Sequence, residues 1–351
     1  MIKAAGNRVF VFGTENGLGD DLMVYWAYLA AALEGLLPSG CRFFFERAET
    51  RRFLSRYSVI FPEINLVERI DPEDKPVYVR GGYDPGFFPA KPLSNIPYLL
   101  FSAPFEVRQY KLHKVLFEYG GKHRIRPRNL LASFSRASYS WLPPYPDIYD
   151  GWQELGIAFK IPKRRAVSDH SRLSKRWPVI WGRLDSCVDR VRFHGRALLF
   201  PAGGASQDFH EPFLDWMRRF GTFDIVRFKG DKRPADVYFG SMEEVASLMR
   251  GARCVITTDS VSSHVAQFFA AKHVLICSRS RPGNVCFLGA ANTRVLDLGS
   301  ALRCRPCVYI ESTRPVCAAG FVRCKALVDT SREKEDQLKE ALVWASASRS
   351  I

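Results

Sequence analysis

The stretch Thr257-Thr258-Asp259-Ser260-Val261-Ser262-Ser263-His264 gathers hydroxyls, a carboxylate and an imidazole into eight consecutive residues. Before it, Ala252 to Ile256 reads as a short buried strand; from within it, Val261 to Ala271 reads as a helix capped by Asp259 or Ser260. A helix start carries unbonded N–H groups and the positive end of the helix dipole, and open α/β sheets bind ligands outside the carboxyl ends of their strands. The segment is therefore expected to hold an anion such as a phosphate. An ordinary capped helix with a satisfied histidine is the plain alternative.

A second chemical group is Gly17-Leu18-Gly19-Asp20-Asp21, which joins a β-rich run, Arg8 to Gly13, to an apolar run, Leu22 to Leu37, read as a buried helix. A P-loop would end in Gly-Lys-Ser/Thr, and a dinucleotide fingerprint would place glycine where Leu22 stands, so neither fits. Two carboxylates would repel a diphosphate, and the turn is read as acting on a proton donor such as a hydroxyl. Asp20 is the candidate general base, with Asp21 as the alternative and a helix N-cap as the structural reading.

A third group is Cys304, Cys307, Cys317 and Cys324, spaced C-x2-C-x9-C-x6-C within 21 residues. Four thiolates so close suit a tetrahedral structural zinc or iron site, with no position left open for water; free or disulfide-paired thiols are the alternative.

The elements that must position these groups alternate between strand and helix. Ala197 to Phe200 reads as a strand leading into the turn Pro201-Ala202-Gly203-Gly204-Ala205-Ser206, and Glu211 to Phe220 as an amphipathic helix with Phe213, Leu214, Met217 and Phe220 on one face. Asp224 to Phe228, Cys254 to Thr257 and Val274 to Cys277 read as strands and Met242 to Met249 as a helix; Cys41 to Glu46 and Leu66 to Ile70 read as strands of the amino half. This order predicts parallel sheets. A length of 351 residues predicts two domains. The charge-rich stretch Lys160 to Arg196 separates them, giving domains 1–170 and 171–351, the second with the cysteine loop 304–324 and a terminal helix at about 331–346. Residues from about 102 to 155 hold many aromatic and basic residues with weak helical periodicity, and residues 71–196 carry no motif that assigns them a role.

A formal charge of +15 implies anionic partners: nucleic acid, an anionic membrane surface or phosphorylated small molecules. The basic clusters Lys122–Arg128, Lys163–Arg165 and Arg172–Arg192 lack the aromatic pattern of a nucleic-acid-binding sheet, so specific nucleic-acid recognition is not expected. The apolar run Leu22 to Leu37 is too short to span a bilayer and lacks a basic leader, so a cytoplasmic protein is expected, with peripheral contact to an inner membrane as an option. The nine cysteines are then reduced or metal-bound.

These residues carry a resemblance to glycosyltransferase family 9, the heptosyltransferase-like enzymes. Gly19-Asp20 before a long apolar helix resembles the family's amino-terminal turn, Pro201 to Ser206 its donor loop, and Ser241 to Val245 leading to Asp259-Ser260 and His264 its donor-phosphate block. The cysteine cluster is similar to one that holds iron in the bacterial autotransporter heptosyltransferases. The resemblance implies two Rossmann-like domains facing across a cleft, the GT-B fold, with a Cys-rich metal loop in the carboxyl half. It implies inverting, metal-independent transfer of a heptose-type sugar from a nucleoside-diphosphate sugar such as ADP-heptose to a protein Ser/Thr or lipopolysaccharide core hydroxyl. Asp20 would be the base, and Gly204, Ala205, Ser206, Gly230, Asp259, Ser260 and His264 would hold the donor. A homo-oligomer is an accompanying expectation. The chain departs from the family pattern at Val261, where glycine is usual, and at Gln207-Asp208-Phe209-His210, where a basic residue is common. A transferase for another nucleotide sugar and a non-catalytic nucleotide-sugar-binding or structural protein are the competing readings.

Overall fold

The computed structural model describes residues 8–12, 18–35, 41–78, 170–187, 195–203, 208–278, 282, 286, 290–300, 325–327 and 331–347. The chain forms two compact units, Met1–Gly17 with Met23–Asp169, and Leu18–Leu22 with His170–Ile351. Among the described residues no helix is long and apolar enough to cross a membrane.

The first unit is built on a parallel sheet of β1 (Arg8–Phe12), β2 (Arg42–Phe45), β3 (Asn65–Leu66) and β4 (Lys75–Tyr78), in the order β3-β2-β1-β4. Val9 to Phe12 are buried on both faces of β1, as expected for an interior parallel strand. The Phe12 and Phe45 rings stack at 4.6 Å, and Phe10 packs on Phe43 at 5.7 Å. Helix α1 (Leu18–Leu33) buries Tyr25, Trp26, Leu29 and Ala30, and the Tyr25 ring meets Phe45 edge-on at 6.4 Å. It begins and ends earlier than the apolar run Leu22 to Leu37 suggests. Gly35, at φ 66°, supplies the left-handed residue that stops it, and its N–H bonds the Ala32 carbonyl. Helix α2 (Ala48–Ser58) follows β2.

The expected strand Leu66 to Ile70 overlaps the observed β3, Asn65–Leu66, only at Leu66, and the next strand starts at Lys75. Asp71 and Asp74 explain the gap: the Asp74 N–H donates to the Asp71 carbonyl, the Asp71 N–H to the Asp74 carboxylate, and Arg42 clamps both carboxylates. This turn chemistry outcompetes strand pairing.

The second unit holds a six-stranded parallel sheet in the order β10-β9-β8-β5-β6-β7. Its strands are β5 (Ala197–Phe200), β6 (Asp224–Phe228), β7 (Val237–Phe239), β8 (Cys254–Thr258), β9 (His273–Cys277) and β10 (Thr293–Asp297). Every residue of β8 and β9 is buried. Helix α3 (His170–Cys187) precedes the sheet; α4 (Glu211–Arg218), α5 (Met242–Gly251) and α6 (Val261–Phe269) connect its strands, and α7 (Arg332–Ser346) closes the chain. Leu199, Phe213, Met217, Ile256 and Ile276 form one core with Leu338, Ala341 and Ala345 of α7.

The charge-rich stretch Lys160 to Arg196, read as separating the two halves, contains α3. Trp177, Ile180 and Leu184 recur at helical spacing and are buried, while the basic residues between them mask the pattern. The Trp177 indole N–H donates to the Gln267 carbonyl at 3.0 Å, tying α3 to α6.

Candidate functional site

The order of the second sheet decides where a ligand can sit. From β5 the chain winds outward through β6 and β7, then crosses back through α5 to β8 on the other side of β5. The reversal between β5 and β8 opens a crevice at their carboxyl ends, where doubly wound sheets take their ligands. Phe200 pairs with Thr257 in the ladder, so the glycine turn after β5 and the Asp259-Ser260 turn after β8 start at adjacent positions.

Ser260 is the N-cap of α6, extended at φ −162°, and its side chain accepts no capping bond from the helix. Its hydroxyl instead lies 2.6 Å from that of Ser262. This mutual bond uses one of two hydroxyl protons, so the pair can donate the other to an anion's oxygen. Ser263 is committed to structure: its N–H and its hydroxyl both bond the Ser260 carbonyl, at 2.9 and 2.7 Å. The N–H groups of Val261 and Ser262, ahead of that bond, are the kind a helix start offers to an anion. Asp259, Ser262 and His264 are all buried around this turn. What the arrangement can do is bind an oxyanion with backbone N–H groups and hydroxyls.

The strand beneath is held by a neutral histidine. His273 Nε2 lies 2.8 Å from the Thr257 hydroxyl, and Nδ1 lies 3.3 Å from that of Thr293, so one ring links β8, β9 and β10. Burial, with a further contribution from His264, pushes the His273 pKa down to about 3.

The first turn of α1 belongs to this same unit, through Leu18–Leu22. Gly19 is buried, and a methyl group there would lie 2.5 Å from His264 Cδ2 and 3.4 Å from the Val261 Cα. The backbone that carries Asp20 thus touches the start of α6. Asp20 falls in the first turn of α1, with its side chain outside the described residues, and Asp21 is buried.

Asp259, Ser260 and His264 come together on the β8–α6 connection. Gly230 sits elsewhere, in the turn after β6, where a side chain would meet the Phe228 ring at 2.9 Å. Gly204, Ala205 and Ser206 lie outside the described residues, as do Cys304, Cys307, Cys317 and Cys324. The base of the glycine turn is described: the Phe209 N–H donates to the Pro201 carbonyl at 2.9 Å, and the Gly203 N–H to Asp208 at 3.2 Å. Asp208 also pairs with Arg233 from the turn after β6, which Asp231 holds at 2.6 Å. Hydrogen bonding to Arg233 drives the Asp231 carboxyl well below the usual carboxylate range. Arg233, from the turn after β6, thus stands beside the base of the glycine turn, a pairing that sequence spacing alone does not reveal.

The five described cysteines form no disulfide. Burial pushes the thiols of Cys41, Cys254 and Cys286 up to about 12, which leaves them protonated and inert. Among the described residues no group of three or more His, Cys, Asp or Glu side chains is arranged to hold a metal ion.

No family model matches the chain, and no curated protein matches it. Among solved structures it aligns with a glycosyl transferase family 9 protein from Veillonella parvula (13% identity, TM-score 0.45, covering 97% of this chain and 96% of that one). It aligns with E. coli ADP-heptose lps heptosyltransferase II (14% identity, TM-score 0.46, 97% and 100% covered). A third match is the iron-containing dodecameric glycosyltransferase TibC of enterotoxigenic E. coli (13% identity, TM-score 0.47, 96% and 75% covered). These likenesses are low, and the chemistry of the site rests on the chain's own residues.

Proposed function

We propose that the protein is an inverting glycosyltransferase that moves a heptose-type sugar from a nucleoside-diphosphate sugar, ADP-heptose-like, to a hydroxyl of a protein Ser/Thr or a lipopolysaccharide core. The observation that carries this reading is the oxyanion turn at the switch point of the second sheet, Asp259-Ser260 with the start of α6, against which the backbone of Gly19 rests. Asp20, the next residue, accepts the proton of the acceptor hydroxyl. The acceptor oxygen bonds to the anomeric carbon as the carbon–oxygen bond to phosphate breaks, and the electron pair leaves on the diphosphate. One displacement inverts the anomeric centre.

Charge that develops on the departing diphosphate is met by the N–H groups of α6, by the Ser260 and Ser262 hydroxyls and by the glycine turn Gly204-Ala205-Ser206, with His264 one helical turn beyond Ser260. Gly230 lies toward the nucleoside. Cys304, Cys307, Cys317 and Cys324 form a donor set of four thiolates that suits zinc or iron, bound structurally and apart from the transfer step. A division into domains 1–170 and 171–351 belongs to the same reading, and the +15 charge supports anionic partners, donor and membrane surface alike.

Thermal-shift measurements with nucleoside diphosphates and nucleotide sugars test the donor. A ligand that binds only the folded state at 100 times its Kd stabilises it by about 2.7 kcal/mol. The expected result is a rise in Tm with a nucleotide sugar and its diphosphate. No shift with any of them would overturn the reading.

A further inference from the structure

Three neighbouring strands of the second sheet end in phenylalanine: Phe200 closes β5, Phe228 closes β6 and Phe239 closes β7. Phe228 and Phe239 are register partners, so their side chains stand on one face. Their rings meet at 5.7 Å and 62°, and Phe239 meets Phe200 at 6.2 Å. Phe200 is buried, whereas Phe228 keeps 51% of its surface exposed.

Phe228 is nonetheless held in place. The Asp231 N–H donates to the Phe228 carbonyl at 2.8 Å, closing the turn after β6, and the Lys229 N–H donates to the Phe239 carbonyl at 2.8 Å. Gly230 lies against the ring, where a Cβ would stand 2.9 Å from Cε1 and 3.1 Å from Cδ1. Glycine at 230 therefore makes room for the ring. An aromatic side chain that is fixed in position and half open to solvent is suited to stack on a flat partner.

Its place along the sheet edge says which partner. Reading from β8 through β5 to β6, the carboxyl ends present the oxyanion turn, the glycine turn and then Phe228. Two strand spacings of ~4.8 Å put the β6 end about 10 Å from the β8 end. A nucleoside diphosphate whose phosphates occupy the first two turns extends its base toward the third. We propose that Phe228 is the stacking platform for the nucleobase of the donor, an inference that rests on the nucleoside-diphosphate reading above. Ring-face stacking accepts any base, so the platform supplies affinity, and hydrogen-bonding groups elsewhere would have to supply base identity.

The test is calorimetric titration of the full chain and of F228A, F228L and F228W with ADP, GDP, UDP and inorganic pyrophosphate. F228L keeps an apolar contact with Phe239 and removes the flat face; F228W keeps a flat face. F228A and F228L are expected to weaken all three nucleoside diphosphates about 10-fold, F228W to retain them, and pyrophosphate to bind every variant equally. Unchanged nucleoside-diphosphate affinity in folded F228A and F228L would overturn the stacking role while leaving the diphosphate site standing. Failure of the wild-type chain to bind any of the four probes would overturn the donor reading itself.

Discussion

The backbone of Gly19 lies against the imidazole of His264, so close that a methyl group at residue 19 would stand 2.5 Å from Cδ2 and 3.1 Å from Nε2. Among the described residues the glycines with positive φ are Gly35 and Gly195, so Gly19 serves this close approach rather than a left-handed turn. It links the helix start bearing Asp20 to the helix start proposed to hold the leaving diphosphate.

Replacing Gly19 with Ala should cost about 1–3 kcal/mol, the usual penalty for overpacking a tight contact. In a His264→Ala background the same change should be neutral, because the clashing ring is gone. Urea denaturation of the two single variants and the double variant measures the coupling. Additive effects would contradict the contact.

Stability should fall in mild acid because of His273. Its folded pKa of about 3 lies below the ordinary histidine value, so between pH 6.5 and 3 the unfolded chain takes up a proton that the folded chain refuses. Stability is then lost as pH falls, at up to about 1.4 kcal/mol per pH unit from this group. His273→Gln should be less stable at pH 7, having lost the Thr257 and Thr293 partners, but should show a shallower slope between pH 6.5 and 4. Urea midpoints across that range decide it.

Much of the carboxyl-half fold is legible in the sequence because its inner strands bury runs of apolar residues: Ala197–Phe200 and Asp224–Phe228 read correctly from those runs and their flanking turn signals. The edge strands Val237–Phe239 and Thr293–Asp297 do not, since Leu296 is their one buried residue and charged residues stand beside or within them. The Asp259-Ser260-His264 cluster is legible because one strand-to-helix turn holds all of it. Asp208 with Arg233, 25 residues apart, and Thr257 with His273 are invisible in spacing, because sheet order rather than sequence brings them together.

Arg233→Ala should separate stability from binding. The ion pair with Asp208 is partly exposed, so its loss should cost under about 1 kcal/mol of folding free energy. The glycine turn that Asp208 anchors loses its tie to the strand beside it, and the KM for a nucleotide-sugar donor should rise several-fold with kcat nearly constant. A kcat loss with unchanged KM would place Arg233 in a different role.

The cysteine loop predicts metal in the purified protein. Elemental analysis without chelators should find zinc or iron, and Cys304→Ser should lose it together with several degrees of Tm. Neither metal in protein that is folded and active would remove the site.

The central claim is that Asp20 takes the acceptor proton, and sugar transfer by Asp20→Asn and Asp21→Asn measures it most directly. With ADP-heptose and related nucleotide sugars as donors, Asp20→Asn should lower kcat at least about 100-fold, the usual scale of general-base loss, while its nucleoside-diphosphate Kd stays within about twofold of the wild type. Undiminished transfer by Asp20→Asn would contradict the account, and a loss confined to Asp21→Asn would move the base to Asp21.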